Sequence, residues 1–304
     1  MKSFSSFHPA VLFFYYVFVL FITMFTLNPV VLACSLIGSL LFFAMMTPLK
    51  TFCKDIGFYL LVFLLIAITN PLFSHNGETI LFFMNNNPVT FEAIIYGVAI
   101  ATMLVAIIFW SKSYSELVTA DKFLYLFGKA VPKLALVVSM ALRFIPLFKW
   151  QIKKVHQAQK TLGLYTSESV TDKMLSGMRV FNSMLTWSLE NAIHQADAMK
   201  ARGYGLKGRT NFSLFKVEAR DRWMFGILVL LLILIVIGFH KGDFAFHYYP
   251  FISPFAITSA NLIHYISIFL LMFFPCIMEA KENIQWRLLR SKMSVSPIRS
   301  KRKV

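Results

Sequence analysis

Side chains able to do chemistry are sparse and scattered in this chain of 304 residues. The seven histidines, His8, His75, His156, His194, His240, His247 and His264, are spread along the whole length. His240 and His247 could approach one another in one connection, but no metal site is expected there. Cys34, Cys53 and Cys276 have neither metal-ligand spacing nor an obvious pairing, and they read as small apolar residues. No phosphate-binding loop, H-E-x-x-H helix or G-x-S-x-G elbow occurs. No residue is therefore assigned a catalytic role, and no cofactor is expected. The densest polar stretch is "HQADAMKARGYGLKGR", His194 to Arg209, where charge, small residues and glycine crowd together.

That stretch sits in an oily chain. The apolar fraction is 58%, with 33 Phe, against only 14% charged residues. Such a composition points to an integral membrane protein rather than a water-soluble domain. Six apolar runs are long enough to span a bilayer, which takes about 20 helical residues. They are Pro9 to Thr26, Pro29 to Thr47, Ile56 to Phe73, Phe91 to Trp110, Trp223 to Phe239 and Leu262 to Met278. The spans are nearly free of ionisable residues, with Glu92 and His264 near predicted ends. A self-contained permease usually carries such groups along its path, so a driving site in another subunit is expected.

The net charge of +16 raises the possibility of a nucleic-acid partner, but its placement argues otherwise. Ser111 to Arg222 holds 18 of the 30 Lys and Arg, the tail from Ala280 holds 8, and the rest are Lys2, Lys50, Lys54 and Lys241. With six spans, all but Lys241 fall on one side, which the positive-inside rule makes cytoplasmic. Both termini are then cytoplasmic, and no nucleic-acid partner is expected. The expected organisation is spans one to four in 1–110, a cytoplasmic segment in 111–222, spans five and six in 223–279 and a basic tail in 280–304. Trp110 and Trp223 bracket the central segment at the height of an aromatic belt. Lys2 before an apolar run resembles a secretory leader, yet the apolar sequence continues to Met46, so cleavage is not expected. The sequon at Asn211 would lie on the cytoplasmic side, unused.

The central segment reads as two amphipathic helices. Ala130 to Gly163 starts apolar and becomes basic, with Lys133, Arg143, Lys149, Lys153 and Lys154 interrupting it. A seventh span here would bury Arg143 and reverse the charge topology, so a helix at the membrane surface is expected. Pro146, in "RFIP" from Arg143 to Pro146, supplies a candidate bend. Thr171 to Arg202 carries the stripe Met174, Met178, Phe181, Leu185, Leu189, Ala192, Ala196 and Met199 at helical spacing. This stripe is expected to pack on the neighbouring helix or on the membrane. The two helices end alike, in "VHQAQKTLG" and "IHQADAMKARG". The fold class is thus an all-α integral membrane protein, with about six transmembrane helices and a two-helix cytoplasmic segment between spans four and five.

"SMALRFIPLF" (139–148), "AQKTLG" (158–163) and "SLENAIHQADAMKARGYG" (188–205), with "NPLFSHNG" (70–77) and "EAIIYG" (92–97), make the chain resemble a known family. It is similar to the transmembrane T component of energy-coupling factor (ECF) transporters. The similarity runs from about the first span to Arg209 and is weakest in the last two spans. The resemblance implies a non-catalytic scaffold whose two coupling helices dock on a pair of ATP-binding-cassette (ABC) ATPases. A separate membrane S component would bind a vitamin, a metal ion or a related micronutrient. Ala201, Arg202 and Gly203 match the family's coupling motif. Thr161, Leu162 and Gly163 stand at the first motif, where the usual arginine is missing, so the two ATPase contacts are unequal or the first is mainly apolar. The other readings are a self-contained permease and a surface scaffold holding anionic lipid.

Overall fold

The computed structural model describes residues 4–74, 76–84, 87–128, 131–163, 170–206, 215–254 and 259–293. The sequon at Asn211 and the tail beyond Met293 lie outside them. Two compact units are present: Met1–Ala120 with Phe215–Val304, and Asp121–Leu214.

The first unit holds a short 3-10 turn, Phe4–Ser6, and the helices α1 (Pro9–Phe25), α2 (Pro29–Met46), α3 (Leu49–Phe73) and α4 (Phe91–Leu117). The chain re-enters it with α8 (Ala219–Lys241) and α9 (Ser259–Met293). Local signals explain where these begin. Pro9 and Pro29 occupy first-turn positions, where a missing N–H costs nothing. His8 Nδ1 accepts from the Ala10 N–H at 3.2 Å, and Asn28 Oδ1 from the Val30 N–H at 3.1 Å. A reciprocal Glu218–Asp221 capping box starts α8, and Gly242 ends it at φ 77°. Asp221 also accepts from the backbone N–H of His8 at 3.2 Å, tying the N-terminal residues to α8.

The largest core of this unit packs α1 against α8 and α9, and Trp110 of α4 joins it with an aromatic cluster. Trp110 is fully buried, edge-on to Tyr15 and Tyr16 and stacked on Phe42. Its Nε1 donates to Ser35 Oγ at 3.1 Å, and Ser35 Oγ lies 2.8 Å from Thr23 Oγ1. These bonds satisfy polar atoms that would otherwise be costly to bury. Trp110 is therefore a core residue and not a member of an aromatic belt. Trp223, 77% exposed, has the exposure a belt residue needs. Cys276 is buried and donates to the Gly38 carbonyl, Cys53 is exposed, and all three cysteines are unpaired.

Two of the quoted motifs meet at one end of α3 and α4. Asn70 Nδ2 donates to the Ala93 carbonyl at 2.8 Å, and Gly97 brings the helices close, since a Cβ there would lie 2.7 Å from the Ala67 carbonyl oxygen. The connection between them is an antiparallel hairpin, β1 (Ile80–Met84) and β2 (Asn87–Thr90), which the helical reading of the sequence did not anticipate.

Among the described residues, six helices pass the length and apolarity needed to cross a membrane: α2, α3, α4, α8, most of α9, and Pro132–Thr161 in the second unit. The last has the lowest mean hydropathy of the six, 1.4, and carries Arg143 and five lysines, four of them in its second half. Helix α1 has 17 residues, about 26 Å of helix, at the short end of what a span requires. By length and composition alone, the sixth span is thus the helix that the charge argument rejects, while α1 falls one residue short of 18. The second unit contains α5 (Ala120–Gly128), α6 (Pro132–Thr161) and α7 (Val170–Ala201).

Candidate functional site

Helices α6 and α7 contact one another through few residues, and the contacts fix their sense. Arg143 Nη2 donates to Gln195 Oε1 at 2.9 Å, and the Phe148 ring meets Trp187 edge-on at 5.4 Å. Partner numbers fall along α7 as they rise along α6, so the helices run in opposite directions. The α6 terminus at Leu162 lies about 21 Å beyond the Phe148 contact, and the α7 terminus at Arg202 about 22 Å beyond Trp187. The two candidate motifs therefore stand at opposite ends of the helix pair.

The two ends are built alike. In α7, Ala201 is the last helical residue, Arg202 the C-cap and Gly203 the left-handed position, at φ 80°. The Gly203 N–H reaches the Lys200 carbonyl at 2.9 Å and the Tyr204 N–H the Met199 carbonyl at 3.0 Å, which is the Schellman pattern. In α6, Thr161 is the last helical residue, Leu162 the C-cap and Gly163 the left-handed position, at φ 74°. The Gly163 N–H bonds the Lys160 carbonyl at 3.1 Å. Thr161 Oγ1 turns back to the Ala158 carbonyl at 2.8 Å. Residue for residue, Thr161-Leu162-Gly163 takes the place of Ala201-Arg202-Gly203, with leucine where the other end has arginine.

Both C-caps are presented outward. Leu162 is 73% exposed, and Arg202 is exposed with no side-chain hydrogen bond or ion pair among the described residues. An uncompensated cation at a helix C-terminus is favoured by the helix dipole, so Arg202 is stable there without a partner. A groove of about 330 Å³ beside it is lined by Leu136, Ser139, Met140, Arg143, Gln195, Met199, Arg202, Gly203 and Tyr204. It brings together two arginines and no carboxylate. Arg143 was marked in the sequence as part of a bend; the structure places it in this groove, held by Gln195. Pro146 sits inside α6, which continues on both sides of it. Its missing N–H leaves the Leu142 carbonyl without its usual donor.

The apolar stripe of α7 meets α6 only at its C-terminal end, where Met199 lines the groove with Leu136 and Met140. Met174, Met178, Phe181, Leu185 and Leu189 are each 45% or more exposed, while Ser176 and Met184 are the buried residues of this helix. The neighbouring helix thus covers only the C-terminal end of the stripe, and Met174 to Leu189 are left for another surface. On α6, Lys154 Nζ lies 3.4 Å from the Trp150 ring centre, a cation–π contact within its basic half. Among the described residues no cluster of His, Cys, Asp or Glu could hold a metal ion.

These helices define a multi-pass membrane protein with a separate helical unit whose charged end is open. Residues 2–214 match the family described as cobalt transport protein, CbiQ, and the chain belongs to that family. Its relatives include an energy-coupling factor transporter transmembrane protein, EcfT 1, of Listeria monocytogenes, 28% identical over 201 residues, which are 62% of this chain and 73% of that protein. An EcfT of Listeria innocua is 36% identical over 110 residues, 36% of this chain and 39% of the relative. One of Staphylococcus aureus is 24% identical over 192 residues, 59% and 72% of the two chains. The family is one of transporter membrane components, not of catalysts.

Proposed function

We propose that the chain is the T component of an ECF-type ABC importer in the bacterial plasma membrane. The observation that carries this reading is the pair of matching helix ends, at opposite ends of α6 and α7, each offering an exposed C-cap residue beside a left-handed glycine. Two separate docking points suit two ATPase subunits, identical or different. Arg202 presents a planar, permanently charged fork to carboxylates or carbonyls of one ATPase, Ala201 allows close approach, and Gly203 turns the chain away. Arg143 adds a second cation to the same groove. Leu162 offers only apolar surface to the other ATPase, so the two contacts differ in chemistry.

ATP binding and hydrolysis change the spacing of the ATPases, and the docked ends move with them. The exposed α7 stripe passes that movement to a substrate-binding S component, which delivers a vitamin, a metal ion or a related micronutrient. The scaffold itself needs no cofactor and contacts no nucleic acid. Placing α6 at the membrane surface keeps Arg143, Lys149, Lys153 and Lys154 out of the hydrocarbon, and leaves α1 as a span and both termini cytoplasmic. The mean hydropathy of the α6 window comes from its first half, which lies against lipid or the S component in this arrangement.

Photo-crosslinking amino acids introduced at Leu162, Arg202 and Phe181, in cells of the source organism, test the assignment. Positions 162 and 202 are expected to trap ATPases, and position 181 a small membrane protein. Capture of lipid alone at all three positions contradicts it and favours the surface-scaffold reading.

A further inference from the structure

The first strand of the hairpin between α3 and α4 is continuously apolar. Ile80, Leu81, Phe82 and Phe83 are each 50% or more exposed. Successive strand residues point to opposite faces, so Phe82 and Phe83 carry the apolar surface to both. A strand packed on one side alternates apolar and polar residues, and a continuous apolar run belongs to a strand covered on both faces. Here Val89 and Thr90 of the partner strand are buried against the protein, while the first strand is left open from Ile80 to Phe83.

The base of the hairpin is held firmly. Thr79 Oγ1 donates to Glu92 Oε1 at 2.7 Å, and Thr90 Oγ1 donates to the Asn76 carbonyl at 2.6 Å. The Phe91 N–H bonds the Thr79 carbonyl at 2.9 Å. Gly77, at φ 128°, makes room for the Glu92 carboxylate, because a Cβ there would lie 2.6 Å from Oε2. The ribbon is thus fixed relative to the α4 N-terminus.

Its height along the helices is fixed as well. At the other end of α3 and α4, Lys112 Nζ pairs with Asp55 Oδ2 at 2.6 Å, a polar contact suited to a membrane surface. From Lys54 to Phe73 along α3 is about 28 Å, and from Phe91 to Lys112 along α4 about 31 Å. That is one hydrocarbon thickness, about 30 Å. The hairpin base therefore lies at the opposite interface, and no Lys or Arg occurs between Lys54 and Lys112.

We infer that the Ile80–Phe83 strand is a membrane-interface anchor, seated in the headgroup and upper acyl region of the leaflet opposite the Asp55–Lys112 pair. Lipid is the occupant because the open strand stands at the height of the membrane interface and its apolar side chains continue the exposed apolar flank of α3, where Leu64, Leu65 and Ile68 are each 51% or more exposed. The depth follows from the backbone. A two-stranded hairpin keeps unpaired edge N–H and C=O groups, which the hydrocarbon centre does not tolerate and the hydrated interface does. The apolar surface also continues onto Phe73, 82% exposed at the end of α3, and Phe91, 46% exposed at the start of α4.

The test uses the full chain with Cys34, Cys53 and Cys276 replaced by alanine, and single variants Phe82→Cys and Phe83→Cys carrying a nitroxide label. Collision rates with oxygen and with a water-soluble nickel chelate are read in liposomes of phosphatidylethanolamine and phosphatidylglycerol, and again in the complex extracted from native membranes into the same lipids. A label at Leu64→Cys, in the middle of α3, reports correct insertion. Oxygen collisions are expected to exceed nickel collisions at both hairpin positions, by a smaller ratio than at Leu64. Nickel access dominating at both positions places the hairpin in water and overturns the inference. Low access to both reagents at either position, in liposomes or in the complex, identifies a protein contact, from a partner or a second copy, and overturns it equally.

Discussion

Replacing Arg202 by alanine separates folding from docking, because the side chain is exposed and has no partner among the described residues. In the isolated protein the loss is confined to the interaction with the α7 dipole, about 0.3–1 kcal/mol. The Schellman bonds at Gly203 and Tyr204 come from the backbone and survive the substitution. At a desolvated interface, truncating an anchoring arginine costs about 2–4 kcal/mol. At about 1.4 kcal/mol per tenfold, that weakens ATPase binding by about 30- to 700-fold. Leu162→Ala at the other end removes only apolar contact, about 1–2 kcal/mol if half of the side chain is covered, or about 5- to 30-fold. Affinity of the detergent-solubilised chain for the purified ATPase pair, measured by biolayer interferometry beside thermal unfolding of the same variants, distinguishes the two ends. An Arg202→Ala effect of about threefold or less, the size of an exposed ion pair, refutes the reasoning. So does a Leu162→Ala effect larger than that of Arg202→Ala.

Gly97→Ala is expected to destabilise the first unit by about 1–3 kcal/mol, because the new methyl group meets the Ala67 carbonyl oxygen at 2.7 Å; an unchanged unfolding midpoint contradicts this. Ser35→Ala leaves the buried Trp110 Nε1 without its acceptor and is expected to cost about 1–3 kcal/mol. The double variant Ser35→Ala, Trp110→Phe should lose less than the two single losses together, and full additivity argues against the bond. Tyr248, in the connection after α8, has its phenol pushed up to about 12 by burial and then by neighbouring Tyr96. A raised phenol favours the folded state below the ordinary tyrosine range, near ~10, and this contribution is lost as pH climbs through about 12. The ultraviolet difference titration against Tyr248→Phe should therefore show a phenol ionising near the upper value, and ionisation in the ordinary range contradicts the buried placement.

Much of the helical architecture is written locally. Pro9 behind His8 and Pro29 behind Asn28 start helices where the residue types say they should, and Gly163, Gly203 and Gly242 end them. The equivalence of Thr161-Leu162-Gly163 with Ala201-Arg202-Gly203 came from the resemblance to the family, and the left-handed glycine that ends each helix accords with it. Other features depend on tertiary contacts. Trp110, at the end of an apolar run, suits either a membrane interface or a core, and only packing against Tyr15, Tyr16 and Phe42 decides. Arg143 and Arg202 are brought to one groove by two helices running in opposite directions, which no short spacing reveals. The hairpin was missed because "ILFFM" is continuously apolar and lacks the alternation that marks a half-buried strand. The α7 stripe was seen correctly as a pattern, but periodicity does not tell which surface will cover it.

The most direct test of the T-component assignment is to purify the tagged chain in mild detergent from its native membrane, beside Arg202→Glu, and to identify what accompanies it by mass spectrometry. Wild type is expected to bring down ABC ATPases and a small membrane protein, and Arg202→Glu to retain the membrane partner while losing ATPase. Wild type arriving alone, under conditions that preserve other membrane complexes, or an ATPase complement unchanged by the substitution, would contradict the assignment.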